Sequence, residues 1–330
     1  MSSHPLRTRT TLSALVIAAL LNTTPTAGAA PRTPTCRAPK HPALAKQLTR
    51  DLKAALAGRS GTVSVAVHDD RTKLDCTLAP RTRYDAASVV KVLMMEATLR
   101  RAQSRGRGPT AWERGNLGPM IRSSDNAAAG RLWKDLGRTR LGTTLTQAGA
   151  TRTVLGPHGY WGLTRTTAAD QLRLLDRLTA RRSFLTAGSR VYGLKLMSEV
   201  RKNQRWGVPA GMPRGLRAHL KNGWLPRATH GWRIHSIGAF TGQGRTYRIA
   251  VLSHDNPSMA YGVRTVERVA QAVHRALNKG RAGAIGLTPP EEISERSDGS
   301  VPPDAPEAPE RQSWFAYGAP GAAARTARAR

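Results

Sequence analysis

The sequence predicts an α+β fold, an antiparallel sheet flanked by terminal helices and packed beside an all-helical half. Three observations lead there. Leucines at 44, 48, 52 and 56 recur at helical spacing near the start, and Val263, Val266, Val269, Val273 and Leu277 do so near the end. Strand-like alternation falls in two groups, around 63–67 and 73–78, then at 216–220, 234–240 and 247–254. The long stretch between the groups carries mainly helical spacing.

Taken in order, residues 1–29 read as a secretory signal. Arg7 and Arg9 precede an apolar run, TLSALVIAALL, and Ala27-Gly28-Ala29 offers a small-residue cleavage site. The run is too short to stay in a bilayer as a helix. No twin-arginine pair occurs there and Cys36 follows Thr-Pro-Thr, so neither a twin-arginine route nor a lipid anchor is favoured. A secreted, extracellular protein without a membrane span is expected. In that compartment Cys36 and Cys76 are expected to form one disulfide. It would close a loop of about 40 residues and stabilise by roughly 4 kcal/mol at most.

A helix is predicted over 41–57, broken by Gly58 to Gly61, followed by the two early strands with a turn at Asp69-Asp70. Ala86 to Leu99, AASVVKVLMMEATL, is apolar nearly all the way round, which marks a buried helix. Lys91 lies within it, and burial lowers the pKa of an ammonium group. Ser88 sits one turn earlier on the same face, near the helix start. Further helices are predicted at 112–121, 126–136, through about Leu178, and at 184–201. Residues 216–220 form a strand running into Lys221, and 261–277 the last helix. The predicted domain spans 30–279. Residues 280–330 are rich in Pro, Ala, Glu, Ser and Arg, with six Arg and seven acidic residues over 281–330, and their composition predicts a disordered tail.

The net charge is +31, with 52 basic against 21 acidic residues. Such a balance suits an anionic partner. Yet the charge is spread along the chain and aromatic residues make up only 5%, so nucleic acid is not the expected partner. An anionic cell wall suits a secreted chain better. Neither cysteine has zinc-ligand spacing, so no metal or cofactor is expected. The expected form is a monomer.

Three short motifs carry the chemistry: Ser88-Val89-Val90-Lys91, Ser124-Asp125-Asn126 and Lys221-Asn222-Gly223. A serine is a poor nucleophile without a base beside it, and here one helix supplies both. Each motif alone is a weak signal, but their order and placement make the set specific. Together they resemble the penicillin-recognising serine hydrolases, above all the class A β-lactamases. MIRSSDNAAAGRLW around Ser124 is similar to that family as well, and the resemblance covers roughly 37–278.

The resemblance implies a β-lactamase/transpeptidase-like fold with the site between its halves. It implies a Ser88 nucleophile, Lys91 as its base, Ser124 as a proton relay to the leaving nitrogen, and Lys221 as a positive charge over the site. The N–H groups of Ser88 and Trp224 would form the oxyanion hole. Asn126, Asn222, Gly223 and Trp224 would line the substrate subsite, and Asp125 would hold its loop. The substrate would be a β-lactam or a cell-wall peptide, the former giving antibiotic resistance.

Three departures stand against the family pattern. Asn222 replaces a hydroxyl residue. Only 36 positions separate Ser88 from Ser124, which would leave a wider cleft. The loop that carries a deacylating Glu in class A enzymes corresponds to Thr151–Thr167, which contains no Asp or Glu. Apart from Arg, His158 and Tyr160 are the titratable residues there, and a surface role suits His158 better than a base. Arg233 and His235, near Lys221, read chiefly as strand residues, with a substrate carboxylate contact as the alternative. Three functions remain: a β-lactamase with slow deacylation, a D-alanyl-D-alanine peptidase or penicillin-binding protein, and a non-catalytic wall-binding module.

Overall fold

The computed structural model describes residues 33–281, 283–302 and 305; the expected signal segment and the last part of the tail lie outside them. Strand β1 (Thr35–Arg37) leads into helix α1 (Pro42–Leu56), which buries Ala45, Leu48, Leu52 and Ala55 along the predicted stripe. Strands β2 (Thr62–Asp69) and β3 (Leu74–Leu78) follow. The helical half runs through β4 (Tyr84–Asp85), a 3₁₀ turn (Ala87–Val90), α2 (Lys91–Ser104), α3 (Ala111–Arg122) and α4 (Asn126–Ala148). It continues with β5 (Arg165–Thr166), α5 (Ala168–Thr179) and α6 (Ala187–Ser198). Three long strands close the sheet, β6 (Arg217–Pro226), β7 (Trp232–Gly242) and β8 (Arg245–Asn256), and α7 (Met259–Leu277) packs back.

The sheet has six strands in the order β1-β3-β2-β8-β7-β6, each neighbouring pair antiparallel. Side chains alternate across it with period two. Val65, Val67, Ile249 and Val251 belong to the core shared with α1 and α7. Ala66, Ala250 and Leu252 belong to the core shared with α2–α6. The sheet is therefore covered on both faces, as the predicted α+β class requires.

The differences from expectation have local causes. The helix predicted to stop at Leu136 does break there, because Gly137 has φ +69°, but a second segment continues to Ala148. The helix expected over 184–201 is shorter, its start fixed where Thr186 Oγ1 accepts a hydrogen bond from Ser189 N. Strands β1, β4 and β5 are two or three residues long and carry no periodic signal.

The expected disordered tail is corrected over 283–302. Gly211 N–H donates to Ile285 C=O at 2.8 Å and Ala284 N–H to Met212 C=O at 2.7 Å. Ile285 and Ile293 join the outer core, and Val301 and Ala305 are buried against Ala87, Leu163 and Leu225. Composition averaged over fifty residues hides a few well-spaced apolar anchors.

Cys36 and Cys76 face each other in the β1–β3 register and are disulfide-bonded. The Cys36→Ala/Cys76→Ala variant is expected to lose about 2–4 kcal/mol, read as a lower urea midpoint, with an m-value no smaller than the parent's because the unfolded chain is freer to expand. A midpoint equal to that of the oxidised parent would show the bond contributes nothing. Among the described residues no helix is long and apolar enough to cross a membrane.

Candidate active site

Three elements meet where the sheet edge touches the helical half: the start of α2, the α3–α4 turn and edge strand β6. Ser88 lies in the 3₁₀ turn that opens α2. N–H groups at a helix start have no partner within the helix, and the dipole there favours negative charge. The preceding Ala87 takes a left-handed φ of +46°, the sort of strained backbone that packing must hold in place. Ser88 Oγ is buried and has no hydrogen-bond partner among the described residues.

Lys91 opens α2 proper and is fully buried. Its Nζ donates to Ser124 C=O and Asn126 Oδ1, both at 2.7 Å, and to Ser124 Oγ at 3.0 Å. It also lies 4.8 Å from the ring centre of Trp161. Burial lowers its pKa to about 8, against the pull of Asp298 and Asp125. A useful share of Lys91 is therefore neutral near physiological pH and able to take a proton.

The Ser-Asp-Asn triplet forms the α3–α4 turn. Ser124 has φ +57°, and both its hydroxyl and its carbonyl accept from Lys91. Asp125 Oδ1 caps α4 by accepting from Ala128 N–H at 2.7 Å. Asn126 starts the helix.

Lys221 projects from β6, fully buried, and donates to Ser124 Oγ at 3.0 Å and Asn222 C=O at 2.7 Å. Burial, and then repulsion from Lys91, push its pKa well below the usual lysine value. Ser124 Oγ is thus within donor reach of two lysines at once. When it accepts from both, its own proton is free to be given away.

A Cβ on Gly223 would sit 2.7 Å from Ser88 N and 3.0 Å from Val89 N, so β6 reaches the α2 start only because this residue is glycine. β6 is an edge strand, paired on one side with β7. The N–H of Trp224 and the N–H of Ser88 converge on a single oxygen, Asp298 Oδ2, at 3.3 and 3.1 Å. Two backbone donors aimed at one oxygen beside a serine are what an acyl-transfer intermediate requires.

Against this geometry, residues 117–277 match the model of the β-lactamase enzyme family. Over that stretch the chain is similar to the β-lactamase enzyme family, and its fold is β-lactamase-like. Solved structures share the fold at low identity. TLA-3 extended-spectrum β-lactamase is 15% identical with TM-score 0.64, over 71% of this chain and 99% of that one. A class A β-lactamase from Bacteroides cellulosilyticus is 15% identical with TM-score 0.62, over 73% and 99%. PBP-A is 18% identical with TM-score 0.60, over 71% and 96%. No curated protein matches the sequence.

Within this β-lactamase-like domain, Ser88, Lys91, Ser124, Asn126, Lys221, Gly223 and Trp224 come together, whereas Asn222 does not. Its Nδ2 donates to the carbonyls of Gln204 and Trp206 at 2.9 and 3.0 Å. The residue expected to line the substrate subsite is instead a clamp behind the sheet. Strand alternation held the signal, since neighbours of Lys221 and Gly223 on β6 face the other way. Arg233 is buried and pairs with Asp85, and His235 donates from Nε2 to Asp85 C=O at 2.8 Å while its Nδ1 accepts from Ser253 N–H. Both brace the β4 segment that precedes Ser88.

His158 is exposed at the tip of the loop that lacks an acid. The residue this β-lactamase-like loop turns toward Lys91 is Trp161, whose role no sequence signal betrayed. Asp298 was missed for the same reason. Among the described residues one group has side chains that could hold a metal: His230, His254 and Asp255, with ligand atoms within 4.8 Å of one another. It shares no residue with the Ser88 site.

Proposed function

We propose that the domain is a secreted serine hydrolase that acylates Ser88 on a β-lactam and releases the acyl group slowly. The convergence of the Ser88 and Trp224 N–H groups on one oxygen carries this reading. A substrate carbonyl oxygen takes that position. As it binds, neutral Lys91 exchanges a bond to Ser124 for one to Ser88 Oγ, one turn away, and accepts its proton. Ser88 Oγ bonds to the carbonyl carbon and the C=O electron pair moves onto the oxygen, held by the two N–H groups. Losing one such donor costs about 3 kcal/mol in comparable sites.

The intermediate collapses by breaking the C–N bond. Ser124 gives its proton to the leaving nitrogen and regains one from the lysine pair, restoring the balance. An anionic group of the substrate bound beside Lys221 favours its charged form and pairs with it. Asn126 Nδ2 is placed to donate to a substrate amide carbonyl, as it now donates to Asp298 C=O at 2.9 Å.

Hydrolysis of the resulting ester needs a base for water. Thr151–Thr167 has no carboxylate, and Trp161 fills its approach to Lys91. This observation also supports the second reading, a D-alanyl-D-alanine peptidase or penicillin-binding protein, for which a long-lived β-lactam adduct is the normal outcome. A purely wall-binding role has no use for four converging groups around Ser124.

The test is intact mass of the protein over hours after adding benzylpenicillin, with Ser88→Ala alongside. The expected result is a persistent adduct on the parent and none on Ser88→Ala. Loss of the drug with at most a transient adduct would remove slow deacylation from the reading. An equal adduct on Ser88→Ala would overturn the nucleophile.

A further inference from the structure

We infer that residues 295–302 are a built-in strap that occupies the substrate cleft and holds the hydrolase shut. The inference rests on the reading above for the identity of the nucleophile. Asp298 is bound at the two oxyanion donors, at the β6 edge and at Asn126, where a substrate acyl group is expected. Its carboxylate Oδ2 accepts from Ser88 N–H and Trp224 N–H at 3.1 and 3.3 Å. Its own N–H donates to Trp224 C=O at 3.1 Å, and its C=O accepts from Asn126 Nδ2 at 2.9 Å. The strap thus lies along the edge of β6, tied to it at Trp224 through both backbone and indole. It places a charged oxygen in a hole built for developing negative charge. A carboxylate imitates the oxyanion more closely than a neutral carbonyl does.

The contact is prepared on all sides. Ser300 N–H donates to Asp298 Oδ1 at 2.8 Å, which fixes the carboxylate. Upstream, Glu295 accepts from Met259 N–H and Ala260 N–H at 2.7 and 2.8 Å, at the positive start of α7. Trp224 Nε1 donates to Arg296 C=O at 2.8 Å. Downstream, Val301 packs in a small core with Ala87, Leu163 and Leu225. A Cβ on Gly162 would lie 2.3 Å from Ser300 C=O, so the loop and the strap meet backbone to backbone. Gly299 has φ +69° and a Cβ there would lie 2.7 Å from Asn126 Nδ2. A wider cleft left by the short Ser88–Ser124 interval is filled by the chain itself.

The test uses the full chain with Asp298→Ala, which removes the carboxylate, and Gly299→Val, which dislodges the backbone while keeping the charge. Labelling rates are measured with a small fluorophosphonate and with a fluorescent penicillin, and Tm with each. Both variants are expected to label at least tenfold faster than the parent with the fluorophosphonate, at similar Tm. A synthetic Glu295–Pro302 peptide is expected to slow Asp298→Ala again. Parent-like rates in both folded variants overturn the strap, whatever penicillin does. Faster fluorophosphonate labelling with no penicillin labelling of any protein keeps the strap and removes the β-lactam reading. Labelling of none by either reagent overturns the inference, since an opened cleft must expose Ser88.

Discussion

Lys91→Met is expected to cut the rate of Ser88 acylation by about 10³-fold while raising thermal stability. The loss follows from removing the base that takes the serine proton, an effect typically worth about 10²–10⁴-fold. The gain in stability follows from the same burial. A fully buried ammonium with another lysine across the shared Ser124 hydroxyl costs free energy, and methionine fills similar volume without charge. Lost bonds to Ser124 and Asn126 offset part of this, leaving about 1–3 kcal/mol.

The pH dependence has a defined sign. The folded pKa of Lys91, about 8, lies below its unfolded value of 10.5. Between those two pH values the unfolded chain binds the extra proton, so the parent gains stability as pH rises through that window. The advantage of Lys91→Met is therefore full below pH 8 and fades towards pH 10.5. Acylation by the parent should rise roughly tenfold between pH 7 and 9, as the neutral form grows. Adduct formation rates and urea midpoints across that range check both claims. A flat rate profile, or a Lys91→Met protein less stable than the parent at pH 7, would remove Lys91 as a buried base.

Gly223→Ala is expected to lower acylation by about 10²–10³-fold, as large as losing a donor from an oxyanion hole. The added carbon would meet Ser88 N at 2.7 Å, Val89 N at 3.0 Å and Ala86 O at 3.1 Å. These are backbone atoms, so β6 and the α2 start must separate. The two N–H donors lie on opposite sides of that contact and lose their common focus. Gly130→Ala is the control, because its Cβ would meet nothing within 4 Å. The measurement is the adduct formation rate of both variants, with melting curves to show they are folded. A Gly223→Ala protein that acylates like Gly130→Ala would show that the close approach is not needed.

Much of this arrangement was legible in the residues. Ser88 and Lys91 lie one turn apart in an apolar run, and that local fact led to a buried pair. The helix over 126–136 and the 261–277 stripe likewise lay within their own elements. What escaped depends on contacts between distant segments. Ser88 N–H meets Asp298 Oδ2 across 210 positions, and a tail whose average composition is that of a disordered segment gives no hint of it. Asn222 was misassigned because a motif names a position but not a face. The alternation of β6 would have resolved it.

The pairing of β2 with β8 has a consequence for how the chain reaches this state. Thr62 is matched with His254 and Asp69 with Tyr247, so the middle of the sheet joins segments far apart in sequence. The helical half between them is one continuous stretch of chain. Loop closure over such distances is slow, while helices form early. The natural order of events is an early helical cluster carrying Ser88, Lys91 and Ser124. Lys221 and the second oxyanion donor arrive only when β6–β8 dock. The reactive centre is therefore expected to be complete only once those strands dock, so that partly folded forms would carry a serine without its machinery.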